Sequence, residues 1–176
     1  MDKNKGVGIL LLRLVLGWGF LYAGLAKVID FEGSGEPFSA FGFLKFATGG
    51  TAPGMGEGQI VNPAHDFWVG LTANPALIDV INFLVVFGEL AIGAALILGL
   101  ATRFAAIMGA LMMALFWLAA WDFQHGIVNN QLLYGVTALF LGYVNAGHYY
   151  GVDAIVEKAS ETTRAPVLRL LSGHLH

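Results

Sequence analysis

FLVVFGELAIGAALILGLATRFAAIMGALMMALF, residues 83–116, is apolar or small at nearly every position, yet it holds one carboxylate, Glu89, and one guanidinium, Arg103. Arg103 follows the break Gly99-Leu100-Ala101-Thr102 and reads as a loop residue. Glu89 is flanked on both sides by apolar residues and falls inside a segment. A membrane-spanning helix needs about 20 mainly apolar residues, and this stretch supplies most of two, joined by a tight turn. An open strand edge has no partners in lipid, so each segment is helical.

The wider composition agrees. Of 176 residues, 57% are hydrophobic and 12% are charged, with a mean hydropathy of +0.70. A soluble domain carries roughly twice that charge. The net charge of -3 supplies no basic face for nucleic acid. The absence of cysteine removes disulfides, thiol relays, thiolate-held iron–sulfur clusters and cysteine zinc sites.

Four apolar blocks predict four spans, at about 7–29, 76–100, 103–121 and 130–147. The first is too long for a signal-peptide core and is interrupted by Arg13, so it reads as an uncleaved span. Lys3, Lys5, Arg103, Lys158, Arg164 and Arg169 fall on one side of this arrangement. The other side has Lys45 as its loop cation beside several carboxylates. The positive-inside rule therefore places both termini in the cytoplasm. The expected architecture is all-α: one multi-pass membrane domain, a four-helix bundle with a long outer loop at 30–75 and a cytoplasmic tail at 149–176. Within the loop, the Phe-rich PFSAFGFLKF and the HDFWVGL around Trp68 read as segments lying at the membrane interface.

Residues three and four apart share a helix face. Arg13, Gly17, Phe20, Gly24 and Lys27 form one stripe on span 1, and Asp79, Asn82, Val86, Glu89 and Gly93 form another on span 2. Asn130, Tyr134, Thr137, Leu141, Asn145 and His148 line up on span 4. Span 3 carries Ala106, Ala110 and Ala114, a small-residue seam that lets helices approach. A charge facing lipid costs a few kcal/mol on insertion scales, so the stripes turn inward. Arg13 is the expected partner of Glu89, since two unpaired charges at that depth are worse. Against the pair, side chains lean toward their own helix N-terminus, which carries these two apart. Tyr134 or Thr137 are alternative hydrogen-bond partners for the carboxylate. The pair reads either as a staple between spans 1 and 2 or as a functional site.

A second constellation lies at the outer rim. Lys27, Asp79, Asn82, Asp122, His125 and Asn130 cluster near one membrane boundary and are candidate binding residues for a small anion, with Asp122 and His125 as proton carriers. An ordinary interfacial rim has a similar composition. The five histidines have no spacing for a shared metal or haem, so no metal is expected.

LLRLVLGWGFLYAGLAKV, FGELAIGAALILGLATRFAA and LLYGVTALFLGYVNAGHYYGVD together resemble the DoxX family of four-helix membrane proteins. The matching positions are Arg13, Gly24, Lys27, Gly88, Glu89, Gly93, Gly99, Thr102, Arg103, Tyr150 and Gly151. The long outer loop and AAWDFQHGIVNNQLLYG look more like its DoxD-like branch, the small membrane subunit of thiosulfate:quinone oxidoreductase. The resemblance implies a prokaryotic cytoplasmic-membrane subunit that passes electrons from a sulfur compound to quinone, with a separate larger subunit as partner. On the residues themselves, Glu89, Arg13 and Tyr134 are the candidate catalytic groups. Trp18, Phe20, Tyr22 and Trp117 are candidate ring contacts for the quinone, and Glu89 a candidate proton donor. The alternative is a non-catalytic scaffold that anchors a redox complex. A small transporter would call for inverted repeats, and the chain shows no convincing repeat.

Overall fold

The computed structural model describes residues 3–29, 35–47, 62–120 and 127–163. They form α1 (Lys3–Ile29), a short α2 (Ala40–Gly42) that runs into a π turn (Phe43–Ala47), and α3 (His65–Leu71). Then come α4 (Pro75–Leu98), α5 (Thr102–Ala119), α6 (Asn130–Tyr143), a 3-10 turn (Ala146–His148) and α7 (Val152–Thr163). Three of these, α1, α4 and α5, are long and apolar enough to cross a membrane.

The boundaries follow from local chemistry. α4 starts where Asn74 caps the Ala76 amide at 3.1 Å and Pro75 occupies the first turn. It stops at Gly99, whose φ of 67° is the left-handed conformation that glycine adopts without a Cβ penalty. α6 starts under the Asn129 side chain, which accepts from the Leu132 amide at 3.0 Å. It was expected to run on to residue 147 but ends at Tyr143, and Asn145 turns left-handed with φ 48°. At 14 residues α6 is about 21 Å long, short of the roughly 30 Å hydrocarbon core. It packs along α5 nonetheless.

The helices associate as two tight pairs, α1 with α4 and α5 with α6, while α4 and α5 touch more loosely. Small residues set the close pairs. A Cβ on Gly24 would lie 2.8 Å from Leu90 Cγ, and one on Gly93 would lie 2.7 Å from the Leu21 Cα and 2.8 Å from the Gly17 carbonyl. Ala106 faces Gly142 across the second seam. In lipid no hydrophobic force drives helices together, so this backbone approach, with its dispersion contacts, holds the bundle. Leu16, Phe20, Ile92, Leu96, Met113 and Leu141 fill the centre. The expected seam on span 3 holds at Ala106 and Ala110, but Ala114 is exposed.

The segments between α1 and α4 fold onto the end of the bundle where α4 starts and α5 stops. Ala40, Leu44 and Trp68 bury against Ile78 and Ala119. Ala40 N–H donates to Asn82 Oδ1 at 2.7 Å. Asn62 donates to the Leu118 and Ala119 carbonyls at 2.8 and 2.9 Å, which satisfies two orphan acceptors at the α5 C-terminus.

Gly93→Ala should therefore lower stability in detergent by about 1–3 kcal/mol through overpacking. Gly19→Ala, where an added Cβ meets nothing within 4 Å, should be neutral or slightly stabilising, and thermal unfolding of the two variants checks the contrast.

Candidate functional site

Glu89 is 3% exposed and faces the α1–α4 seam. Its partner is Lys27, whose Nζ donates to Oε1 at 2.9 Å and to Oε2 at 2.8 Å. Lys27 also donates to the Ala23 carbonyl at 3.3 Å and stands 5.2 Å from the centre of the Phe38 ring. The ammonium is thus enclosed by a carboxylate, a carbonyl and an aromatic face, which replace much of the water it gives up.

This corrects the expected Arg13–Glu89 pair. Gly17 meets Ile97 and Gly24 meets Leu90, and in that antiparallel register Glu89 lies level with Leu25. Arg13 is then about 18 Å away along the helix. Side-chain direction completes the correction. Lys27 leans back along α1 and Glu89 leans back along α4, so the two converge, whereas Arg13 leans the other way.

Arg13, 1% exposed, enters a knot at the opposite end of the bundle. Its Nη1 donates to the Ala146 carbonyl at 2.8 Å and the Tyr149 carbonyl at 3.2 Å. Asp153, 3% exposed, supplies the countercharge nearby and accepts from the Ala101 amide at 2.7 Å and the Thr102 amide at 2.9 Å. Its own amide donates to the Gly99 carbonyl at 2.8 Å. A carboxylate at a helix N-terminus meets both free N–H groups and the positive dipole end. Gly99 and Gly151 leave room for the guanidinium, since a Cβ on either would come within 2.7 Å of Arg13 Nη1. Asp153 was no candidate in the sequence; its signal was a lone Asp opening α7, where it reads as that helix's own first-turn carboxylate.

An apolar groove of about 630 Å³ runs along the loose α4–α5 seam. Its wall includes Ala91, Ala95, Phe104 and Met108 along the shaft, and Phe43 and Trp68 at the α3 end. Trp68 is the one lining side chain that carries an N–H or O–H donor. Its Nε1 is buried and has no acceptor among the described residues, a state that costs about 1–3 kcal/mol.

The other candidates scatter. Glu89, Arg13 and Tyr134 do not line this groove. Tyr134 is 48% exposed, and Thr137 donates to its own helix at Leu133 rather than to Glu89. Of the expected inward stripe of α6, Leu141 is buried, but Asn130 and Tyr134 are exposed, and Gly135, Ala138 and Gly142 complete the buried face. Asp79 and Asn130 are exposed, and Asn82 is engaged with Ala40. Trp18 and Tyr22 face outward, Phe20 lies in the core, and Trp117 donates to the Ile127 carbonyl at 2.8 Å. Asp122 and His125 lie outside the described residues, so the rim cluster is reduced to Lys27, already neutralised by Glu89, and its exposed neighbours.

The DoxX family profile matches residues 8–122, and the chain belongs to that family. DoxX is a membrane family associated with oxidoreductase-related functions, and this member is a multi-pass membrane protein. No curated protein and no solved structure matches the chain.

Breaking either charged contact should be costly and repairable in a defined way. Glu89→Leu alone leaves the partly buried Lys27 without its carboxylate and should destabilise by about 1–3 kcal/mol. The double variant Lys27→Met/Glu89→Leu should recover most of that loss, and a thermal-unfolding double-mutant cycle measures the coupling. Asp153→Asn should cost about 1–3 kcal/mol by weakening the cap on α5, read in the same assay.

Proposed function

We propose that this DoxX protein is the membrane subunit of a quinone-linked oxidoreductase in a prokaryotic cytoplasmic membrane, with its termini in the cytoplasm, holding quinone in the α4–α5 groove. The observation that carries the reading is the groove itself: an apolar slot of about 630 Å³ between two helices long and apolar enough to cross a membrane. Pockets for such ligands are mostly apolar, with few polar groups that fix orientation. The residues present fit the group, with Ala91, Ala95 and Met108 along a hydrocarbon tail and the Phe43–Trp68 end around a ring.

When bound, quinone supplies a two-electron, two-proton acceptor. The proposed donor is a small sulfur anion such as thiosulfate, a choice that rests on the DoxD-like resemblance. Two thiosulfate ions joined through a new S–S bond as tetrathionate release the two electrons required. The chain has no cysteine for a thiol relay, so a second protein subunit at the outer face binds the anion and delivers electrons. In this geometry Lys27–Glu89 holds α1 against α4 beside the groove, a positioning role in place of the direct proton donation expected from the sequence.

A scaffold without its own redox site is the second reading. It is favoured by the closed pairing of the interior charges, since the buried Arg13, Glu89 and Asp153 and the partly buried Lys27 all find partners within the chain.

Ala91→Phe separates the two. Ala91 lines the groove from an exposed position, so a ring there fills the slot and spares the fold. Quinone co-purifying with the detergent-solubilised protein, and thiosulfate-driven quinone reduction in membranes, should both fall about tenfold, equivalent to about 1.4 kcal/mol. Unchanged values at unchanged protein level would favour the scaffold.

A further inference from the structure

We infer that the cleft between the start of α5 and the end of α6 is a binding site for an anionic phospholipid, with Arg103 at its phosphate and Ile107 and Leu139 along its acyl chains. The inference stands apart from the quinone reading, because this cleft and the α4–α5 groove share no lining residue.

Two helices supply a floor and two walls. A Cβ on Gly142 would stand 3.1 Å from Ala106 Cβ, so α5 and α6 meet closely at this level. Side chains one turn apart share a helix face. Arg103 and Ile107 flank the contact on α5, Leu139 and Tyr143 flank it on α6, and together they border a cleft of about 410 Å³. Antiparallel packing gathers the polar members at one end. Arg103 and Tyr143 lie there, and Asn145 follows where the chain turns left-handed. One turn deeper the walls are apolar, and Ile107 and Leu139 are both exposed. The cleft therefore passes from polar to apolar over about 5 Å. A phospholipid makes the same change between its phosphate and its first methylenes.

The place of the cleft in the fold selects a lipid as occupant. α5 is long and apolar enough to cross a membrane, and Arg103 is exposed in its first turn. An arginine there leans toward its own helix N-terminus, so its stem follows the helix and its charge reaches headgroup level. Tyr143, 86% exposed at the end of α6, suits the same level, where tyrosine is enriched.

The charge at this end of the bundle selects an anion. Among the described residues, Lys5 and Lys158 are exposed there with Arg103. The carboxylates of the same end are engaged: Asp153 accepts from two amides and faces Arg13, and Glu157 meets His148 Nε2 at 2.8 Å. A guanidinium carries five N–H donors in a planar fork that matches phosphate oxygens. A contact of Arg103 within the chain therefore leaves donors for a ligand.

The test titrates detergent-solubilised full-length protein with dioleoyl phosphatidylglycerol and, separately, with dioleoyl phosphatidylcholine, and counts bound lipid by native mass spectrometry. The first phosphatidylglycerol should bind about fivefold more tightly, the effect of one cation beside an anionic headgroup. Arg103→Gln should remove that preference and Arg103→Lys should keep most of it. Lys158→Gln, at the same end but outside the cleft, should leave it unchanged. Leu139→Trp fills the cleft from an exposed position and should weaken both lipids. A wild type without preference overturns the inference whatever the variants do. A preference that survives in a folded Arg103→Gln overturns it too. Equal losses in Arg103→Gln and Lys158→Gln overturn it in favour of a diffuse surface field. Displacement of the lipid by equimolar glycerol 3-phosphate overturns it in favour of a free phosphate ester.

Discussion

The contact between α1 and α4 governs the rest of the molecule. Gly17, Gly24 and Gly93 let the two backbones approach until an added methyl would collide, and that approach fixes a register. The register decides which charges meet. It brings Lys27 and Glu89 to the same level with their side chains leaning toward each other, and it carries Arg13 to the turn after α4. Dispersion between small-residue faces is weak per atom pair, but it is summed over the length of two helices. The charged pair then adds specificity. A slip by one residue along this seam would rotate Glu89 toward lipid, where insertion scales place a cost of a few kcal/mol.

The two polar clusters have different characters. Lys27–Glu89 is a compact ion pair between two helices, with one aromatic face over the ammonium. The Arg13–Asp153 knot is distributed: carbonyls from the end of the α6 region take the guanidinium, and amides from the start of α5 take the carboxylate. One joins a pair of helices and the other ties four chain segments at one end. Between them the α4–α5 seam is left loose, and the groove lies in that seam. The molecule is tied at its two ends by polar contacts and along two seams by small residues, and the α4–α5 seam has neither.

Much of this was legible in the sequence, and the failures have physical causes. The stripe Arg13, Gly17, Phe20, Gly24 and Lys27 is the buried face of α1, as its spacing indicated. Glu89 was expected inward and is. The identity of its partner was not readable, because it depends on a register set by glycine contacts between distant segments. Simple depth counting missed that register by several turns, whereas the side-chain lean had already argued against Arg13. On α6 the polar stripe misled. Close packing on α5 selects Gly135, Ala138 and Gly142 for the interior, so size marked the buried face and polarity did not. The groove was invisible for a similar reason, since it is made by the looseness of one seam and the folding-back of α2 and α3.

The Asp153 cap has a consequence for the order in which the chain matures. Helices normally satisfy their first amides with a neighbouring side chain, but α5 relies on a carboxylate about fifty residues later in the chain. Arg13 waits longer still, because its acceptors are the carbonyls of Ala146 and Tyr149. During synthesis, α1, α4 and α5 therefore enter the membrane with a guanidinium and two amides still seeking partners. Only when residues 146–153 emerge does the end of the bundle close. Residues 146–153 are thus a clasp for α1 and α5, and this end of the bundle is closed late rather than built in order.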